Sequence, residues 1–258
     1  MPDGNPVDTI KFTLDGKEVH ALPGETIWQV AKREGTTIPH LCHADEPGYR
    51  SDGNCRACMV EVEGERTLVA SCIREPRDGM VVAAGSERAD KARKTVMELL
   101  VADQPERDMA HDKSSHLWDM AEMQGITDSR FPAIEECRVP LLDDSHVAMR
   151  VNLDACIQCN LCVRACREVQ VNDVIGLSGR GHDAKITFDL DDPMGDSTCV
   201  ACGECVQACP TGALMPSGAV GENEVGDSQD YDREVQSVCP YCGVGCQLSF
   251  KIKDDKIA

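Results

Sequence analysis

Residues 155–166, ACIQCNLCVRAC, and residues 198–209, TCVACGECVQAC, align without a gap, each cysteine displaced by 43 positions. Both carry the spacing C-x2-C-x2-C-x3-C. Thiols repeated at separations of two and three residues suit metal ligation better than disulfide pairing. Duplication of one ligand-bearing unit accounts for the repeat simply. The second copy is followed by Pro210, whereas Arg167 follows the first.

This spacing is that of two-cluster bacterial ferredoxins, in which the fourth cysteine of each run ligates the other run's iron–sulfur cluster. One [4Fe–4S] centre is then expected on Cys156, Cys159, Cys162 and Cys209, and a second on Cys199, Cys202, Cys205 and Cys166. Arg167 in place of proline predicts a changed local turn with ligation kept. A third set, Cys42, Cys55, Cys58 and Cys72, has the spacing C-x12-C-x2-C-x13-C. Four cysteines with none to spare favour a [2Fe–2S] centre there. Gly53, Asn54 and Ala57 are small enough to let backbone N–H groups approach the sulfurs. Structural zinc is the alternative, although a second C-x2-C knuckle is missing. His40 and His43 raise the further alternative of a Rieske-type centre; with four cysteines present they are expected to tune or pack instead.

Near the end, 239-CPYCGVGC-246 offers three more thiolates, Cys239, Cys242 and Cys246, for a cluster that needs four. Cys137 belongs to no set and reads as a buried structural cysteine.

Composition fits small metal-stapled modules. Of 258 residues only 3% are aromatic while sixteen are cysteine, and domains with little apolar core are commonly held by metal or disulfides. The formal net charge of −19 argues against nucleic acid or an anionic membrane as partner. No signal peptide and no run of eighteen apolar residues is present, so the expectation is a reducing, cytoplasmic setting with nothing in the membrane. No dinucleotide-binding GxGxxG, phosphate-binding loop or G-x-S-x-G elbow occurs. Three clusters without other catalytic machinery imply an electron relay.

The expected fold class is α+β. Residues 1–82 read as a [2Fe–2S] ferredoxin-type β-grasp domain. Ile10, Phe12 and Leu14 alternate with polar residues, Asp15-Gly16 signals a hairpin, Ile27, Val30 and Ala31 share a helical face closed by Gly35, and a second hairpin turns around Glu63–Glu65. Residues 83–150 form a helical connector, with Ala89, Ala92, Val96, Leu99 and Leu100 as its inner face and a short helix in SSHLWDMAEMQG. Residues 151–219 form the tandem [4Fe–4S] domain, 220–237 an acidic linker, and 238–258 the start of another domain, broken off within a hairpin.

Taken jointly, 38-IPHLCHADEPGYRSDGNCRACMVEVEG-64 and the tandem runs resemble the N-terminal region shared by the large iron–sulfur subunit of complex I, iron-only hydrogenases and NAD-linked formate dehydrogenases. CPYCGVGC resembles the opening of the molybdenum or tungsten domain of the dimethyl sulfoxide reductase superfamily, and within it the formate dehydrogenases. The resemblance implies a further [4Fe–4S] cluster on Cys239, Cys242, Cys246 and a cysteine beyond Ala258, beside a bis-molybdopterin guanine dinucleotide cofactor. It implies the electron-relay part of a molybdenum formate dehydrogenase that oxidises formate to CO2. Its implied partners are a flavin- and NAD-binding diaphorase-type subunit and a small [2Fe–2S] subunit, in a hetero-oligomer. No catalytic residue of that family has a counterpart here. A stand-alone electron-transfer subunit of an NAD-reducing hydrogenase or complex I-like diaphorase is the alternative. Many relatives also carry a His-x3-Cys-x2-Cys-x5-Cys site. The corresponding ADQPERDMAHDKSSHLWDMAE has no cysteine, so that site is expected to be absent, with His111 and His116 in a surface patch.

Overall fold

The computed structural model describes residues 9–132, 142–217, 231–239 and 243–257. Cys137 and Cys242 lie outside these. The chain opens with strand β1 (Ile10–Leu14), the turn Asp15-Gly16, and β2 (Lys17–Ala21). Both turn residues have positive φ, 48° and 81°, the conformation a two-residue hairpin of the right twist requires. Helix α1 (Ile27–Arg33) starts at a capping box in which Thr26 and Gln29 satisfy each other's backbone N–H. Such a cap is worth about 1 kcal/mol. Strands β3 (Met59–Val62), β4 (Val69–Ala70) and β5 (Val81–Ala83) complete a five-stranded sheet of order β2-β1-β5-β3-β4. Its β1–β5 pair is parallel and the others antiparallel. Phe12, Leu14, Val19, Val60 and Val82 pack under Ile27, Trp28 and Val30 in one core. This is the β-grasp expected, including the second hairpin, since Met59 pairs with Ala70.

Helix α2 (Glu87–Ala102) is capped by Ser86, whose side chain accepts from Ala89 N. Its buried stripe is Ala89, Arg93, Met97 and Val101, rotated from the expected face, and Leu99 is 48% exposed. The reason is Arg93: its guanidinium donates to the carbonyls of Met59 and Ala84, which turns this charged residue inward and carries Leu99 out. Helix α3 (His116–Met123) packs through Leu117, Trp118 and Ala121 into a core with Met97, Val101, Leu41 and Ala57. The connector thus shares its core with the cysteine loops of the β-grasp domain.

The repeated region contains a β6 (Met149–Val151) to β9 (Leu214–Pro216) pair and a β7 (Ile175–Ser178) to β8 (Lys185–Phe188) pair, all antiparallel. Helix α4 (Leu161–Arg164) follows the first cysteine pair and α5 (Glu204–Ala208) the second. Equivalent residues adopt equivalent backbones: Gln158 and Ala201 have φ of 54° and 57°, Asn160 and Gly203 of 61° and 77°. The copies then diverge. Pro210 ends α5, whereas with Arg167 in that place the chain continues as a π-helical turn, Ala165–Val169. Finally β10 (Arg233–Val238), β11 (Gln247–Lys253) and β12 (Lys256–Ile257) form an antiparallel three-stranded sheet.

Candidate metal centres

The first set is assembled by the two ends of the loop between α1 and β3 together with the turn after β4. Cys42, Cys58 and Cys72 are fully buried. The Cys55 amide donates to Cys42 Sγ at 3.4 Å. The thiols of Cys55 and Cys72 also donate to Cys42, holding its own thiol well below the ordinary range. Cys72 likewise lowers Cys58, while sharing with Cys42 raises Cys55 and Cys72. Cys42 thus neighbours Cys55 and Cys72, and Cys72 in turn neighbours Cys58. Gly53, at φ 63°, lies so close to Ile73 that a Cβ would sit 2.9 Å from its Cδ1, which keeps the loop tight against the turn bearing Cys72. His40 and His43 pack edge-on to Trp28, at 4.6 and 4.4 Å between ring centroids. Burial pushes His40 down to about 4, so it is a neutral packing group. His116 is no surface residue: its ring meets His40 at 4.8 Å and its Nε2 bonds the His40 carbonyl at 2.9 Å. His111 is half-buried against Asp154 at 3.0 Å. The surface patch expected of these two histidines is instead a seam, because helix α3 lies between the cysteine modules.

Two cavities occupy the repeated region. One is lined by Cys156, Cys159, Cys162 and Cys209 with Leu153, Ile157, Ile186 and Leu214 among its apolar walls. The other is lined by Cys166, Cys199, Cys202 and Cys205 with Met149, Val174 and Ile175. Each cavity thus draws three cysteines from one run and the fourth from the other. The backbone supports each in the same way: Gln158 N donates to Cys156 Sγ and Ala201 N to Cys199 Sγ, both at 3.4 Å. Burial pushes the Cys156 thiol up to about 11, Cys205 to about 12, and Cys159 and Cys162 also upward. Four sulfurs around an apolar hollow are the donor set of a four-iron cluster.

Cys239 and Cys246 are brought together at the loop end of the β10–β11 hairpin, where Cys239 N donates to the Cys246 carbonyl at 2.8 Å. Cys242, between them, lies outside the described residues.

The sites stand in an order. Cys42 and Cys159 share one buried cluster with Leu161, flanked by Cys55 and Ile157, so the first cavity abuts the β-grasp site. The second is farther out, with Cys202 exposed and Val200 beside it 63% exposed. The loop between Cys42 and Cys55 locks the modules. Tyr49 donates to Glu204 at 2.9 Å, Arg50 pairs with Glu168 at 2.9 Å, and Asn54 reaches the Cys159 carbonyl at 3.3 Å. Sequence reasoning missed these contacts, and Arg164 with them, because no spacing rule marks a residue that joins two modules.

Three family models match the chain: a 2Fe-2S iron-sulfur cluster binding domain over residues 7–87, a 4Fe-4S dicluster domain over 155–213, and a molybdopterin oxidoreductase Fe4S4 domain over 232–258. The chain is an assembly of iron–sulfur modules. They are similar, at 33% identity over 93% of this chain and 27% of the relative, to a component of the NADH-quinone oxidoreductase of Rhizobium meliloti. A Staphylococcus haemolyticus protein provisionally named a formate dehydrogenase is 24% identical over 95% of this chain and 28% of its own length. The chain therefore spans little more than a quarter of these curated relatives. A chain of the NAD+-reducing [NiFe]-hydrogenase in its H2-reduced state superposes with TM-score 0.74 at 29% identity, covering 84% of this chain and 92% of that one. Among the described residues no helix is long and apolar enough to cross a membrane.

Proposed function

We propose that Cys42, Cys55, Cys58 and Cys72 hold a [2Fe–2S] cluster, that the two cavities hold crossed-ligand [4Fe–4S] clusters, and that Cys239, Cys242 and Cys246 hold three corners of another. The clusters supply one-electron carriers. The protein supplies their burial, their N–H···S bonds and their order. Electrons enter at the exposed cavity of Cys166, Cys199, Cys202 and Cys205, pass to that of Cys156, Cys159, Cys162 and Cys209, and leave from the β-grasp centre toward a flavin- and NAD-binding partner subunit.

The source of those electrons is formate, oxidised to CO2 with release of one proton and two electrons at a molybdenum bis-pterin site in a domain that the CPYCGVGC hairpin opens. That hairpin is the observation carrying this reading. It is supported by the molybdopterin-type match over 232–258 and by similarity to the provisionally named formate dehydrogenase over 95% of the chain. A second reading, an electron-transfer subunit of an NAD-reducing hydrogenase or complex I-like diaphorase, is favoured by the hydrogenase chain, which this chain matches over 92% of its length. The test is metal analysis and steady-state assay of the protein purified anaerobically with its partners. Molybdenum, together with formate-dependent reduction of a viologen dye and of NAD, is the expected result. Dye reduction by hydrogen or NADH but not by formate, with no molybdenum, favours the second reading and overturns the first.

A further inference from the structure

Between the β-grasp site and the first cavity stands Arg164. Its side chain is only 2% exposed, yet it is a guanidinium, a planar group with five N–H donors. Its donors are consumed by backbone carbonyls: Nη2 bonds Cys42 O at 2.8 Å and Cys159 O at 3.3 Å, Nη1 bonds Arg50 O at 2.7 Å, and Nε bonds Asn160 O at 3.3 Å. The two shortest cross from one module to the other. The carbonyls of Cys42 and Cys159 belong to cysteines of different sets, and those cysteines share one buried cluster. The acidic partner is Asp52, 3.4 Å from Nη1, toward the rim and 19% exposed.

A buried guanidinium is expensive unless its donors are satisfied, and the same packing can often be achieved without charge. The repeat provides an internal comparison. The residue equivalent to Arg164 in the second copy is Gln207, and it is exposed. The turn that presents the cysteines therefore does not itself demand a cation. The arginine occurs in the copy whose helix faces another cysteine set. Each reduction adds a negative charge to a cluster, and a fixed cation in a low-dielectric interior stabilises that charge at both neighbours.

We propose that Arg164 is a shared electrostatic control for two adjacent clusters, raising the reduction potentials of the [2Fe–2S] centre and of the Cys156–Cys209 centre together, and that of the Cys199 centre less, since none of its hydrogen bonds goes to a cysteine of that set. The inference rests on the ligand sets proposed above. Because both neighbours move together, the step between them keeps its driving force, while the step from the outer cluster to the inner pair is made more favourable.

The test is a redox titration of the intact, cluster-loaded protein followed by electron paramagnetic resonance, with iron and acid-labile sulfide measured on each sample. In Arg164→Met and Arg164→Gln, the potentials of both adjacent centres are expected to move in the negative direction and that of the outer centre to move less. Arg164→Lys, which keeps the charge, should restore most of the shift. Asp52→Asn removes the opposing charge and should move the same two centres in the positive direction. Unchanged potentials in loaded Arg164→Met and Asp52→Asn overturn the inference, as does an equal displacement of all three centres, which marks a loosened fold. Should the Arg164 variants lose their clusters, the rim variant Asp52→Asn decides alone. Wild-type protein lacking iron and sulfide instead overturns the ligand sets, and that failure is visible before any potential is read.

Discussion

Cys209 sits one residue after α5 ends, yet its sulfur faces the cavity built by the other run. That crossing gives a sharp genetic outcome. In a Cys156→Ser/Cys209→Ser double variant one four-iron spectrum should vanish and the other remain, leaving about six iron atoms in the three complete sets instead of about ten. In Cys199→Ser/Cys209→Ser both four-iron spectra should change, because each cluster then keeps three thiolates. Iron analysis with Mössbauer or paramagnetic resonance spectra separates the two patterns, and uncrossed ligation reverses them. The thiols also predict how the metal-free protein responds to pH. Burial raises Cys156 to about 11 and Cys205 to about 12, against about 8.5 for a free thiol. The unfolded chain therefore releases these protons first. Apoprotein stability is complete below about pH 8.5 and is lost as pH rises toward 11. Thermal melts between pH 7.5 and 10.5 should fall steeply for the apoprotein and much less for the loaded protein, in which these sulfurs are iron-bound thiolates.

At the level of elements, helix α2 shows where local pattern and tertiary structure part. The i, i+3, i+4 spacing of Ala89, Ala92, Val96, Leu99 and Leu100 identified the helix correctly but not its inner face. The apolar spacing carried no information about Arg93, which the fold turns inward. Its buried guanidinium satisfies the carbonyls of Met59 in β3 and Ala84 after β5, a demand that only the assembled sheet creates. Arg93→Ala should therefore lower stability by about 2–3 kcal/mol, since buried acceptors are left unpaired; urea titration of the loaded protein measures it. The hairpins were legible because Asp15-Gly16 announces its own backbone, and the cysteine sets because ligand spacing is a local property of the chain. The seam of His40, His116 and Trp28 was not, because its members lie far apart in sequence and none belongs to a motif. Arg167 was legible as a changed turn; that the turn would be π-helical, Ala165–Val169, was not, since proline's absence permits several continuations.

Across the whole molecule, the cysteine modules are held by a loop that lies wholly between two cysteines of one set, Cys42 and Cys55. Tyr49 and Asn54 within it grip the repeated domain, and burial together with the Glu204 carboxylate raises the Tyr49 hydroxyl, keeping it a donor. Tyr49→Phe removes one such bond. Electron transfer from the inner four-iron centre to the [2Fe–2S] centre, followed after rapid reduction, should slow modestly while total iron is unchanged; an unaffected rate would show that the loop serves stability alone. The exposed position of Cys202 and Val200 has a different consequence. Molecular oxygen reaches that edge without crossing the apolar walls that enclose the inner sites. On exposure to air the protein should decay in stages, the outer cluster bleaching first and the β-grasp centre last. A partly oxidised preparation would then keep its [2Fe–2S] colour while the relay behind it has already been cut at its point of entry.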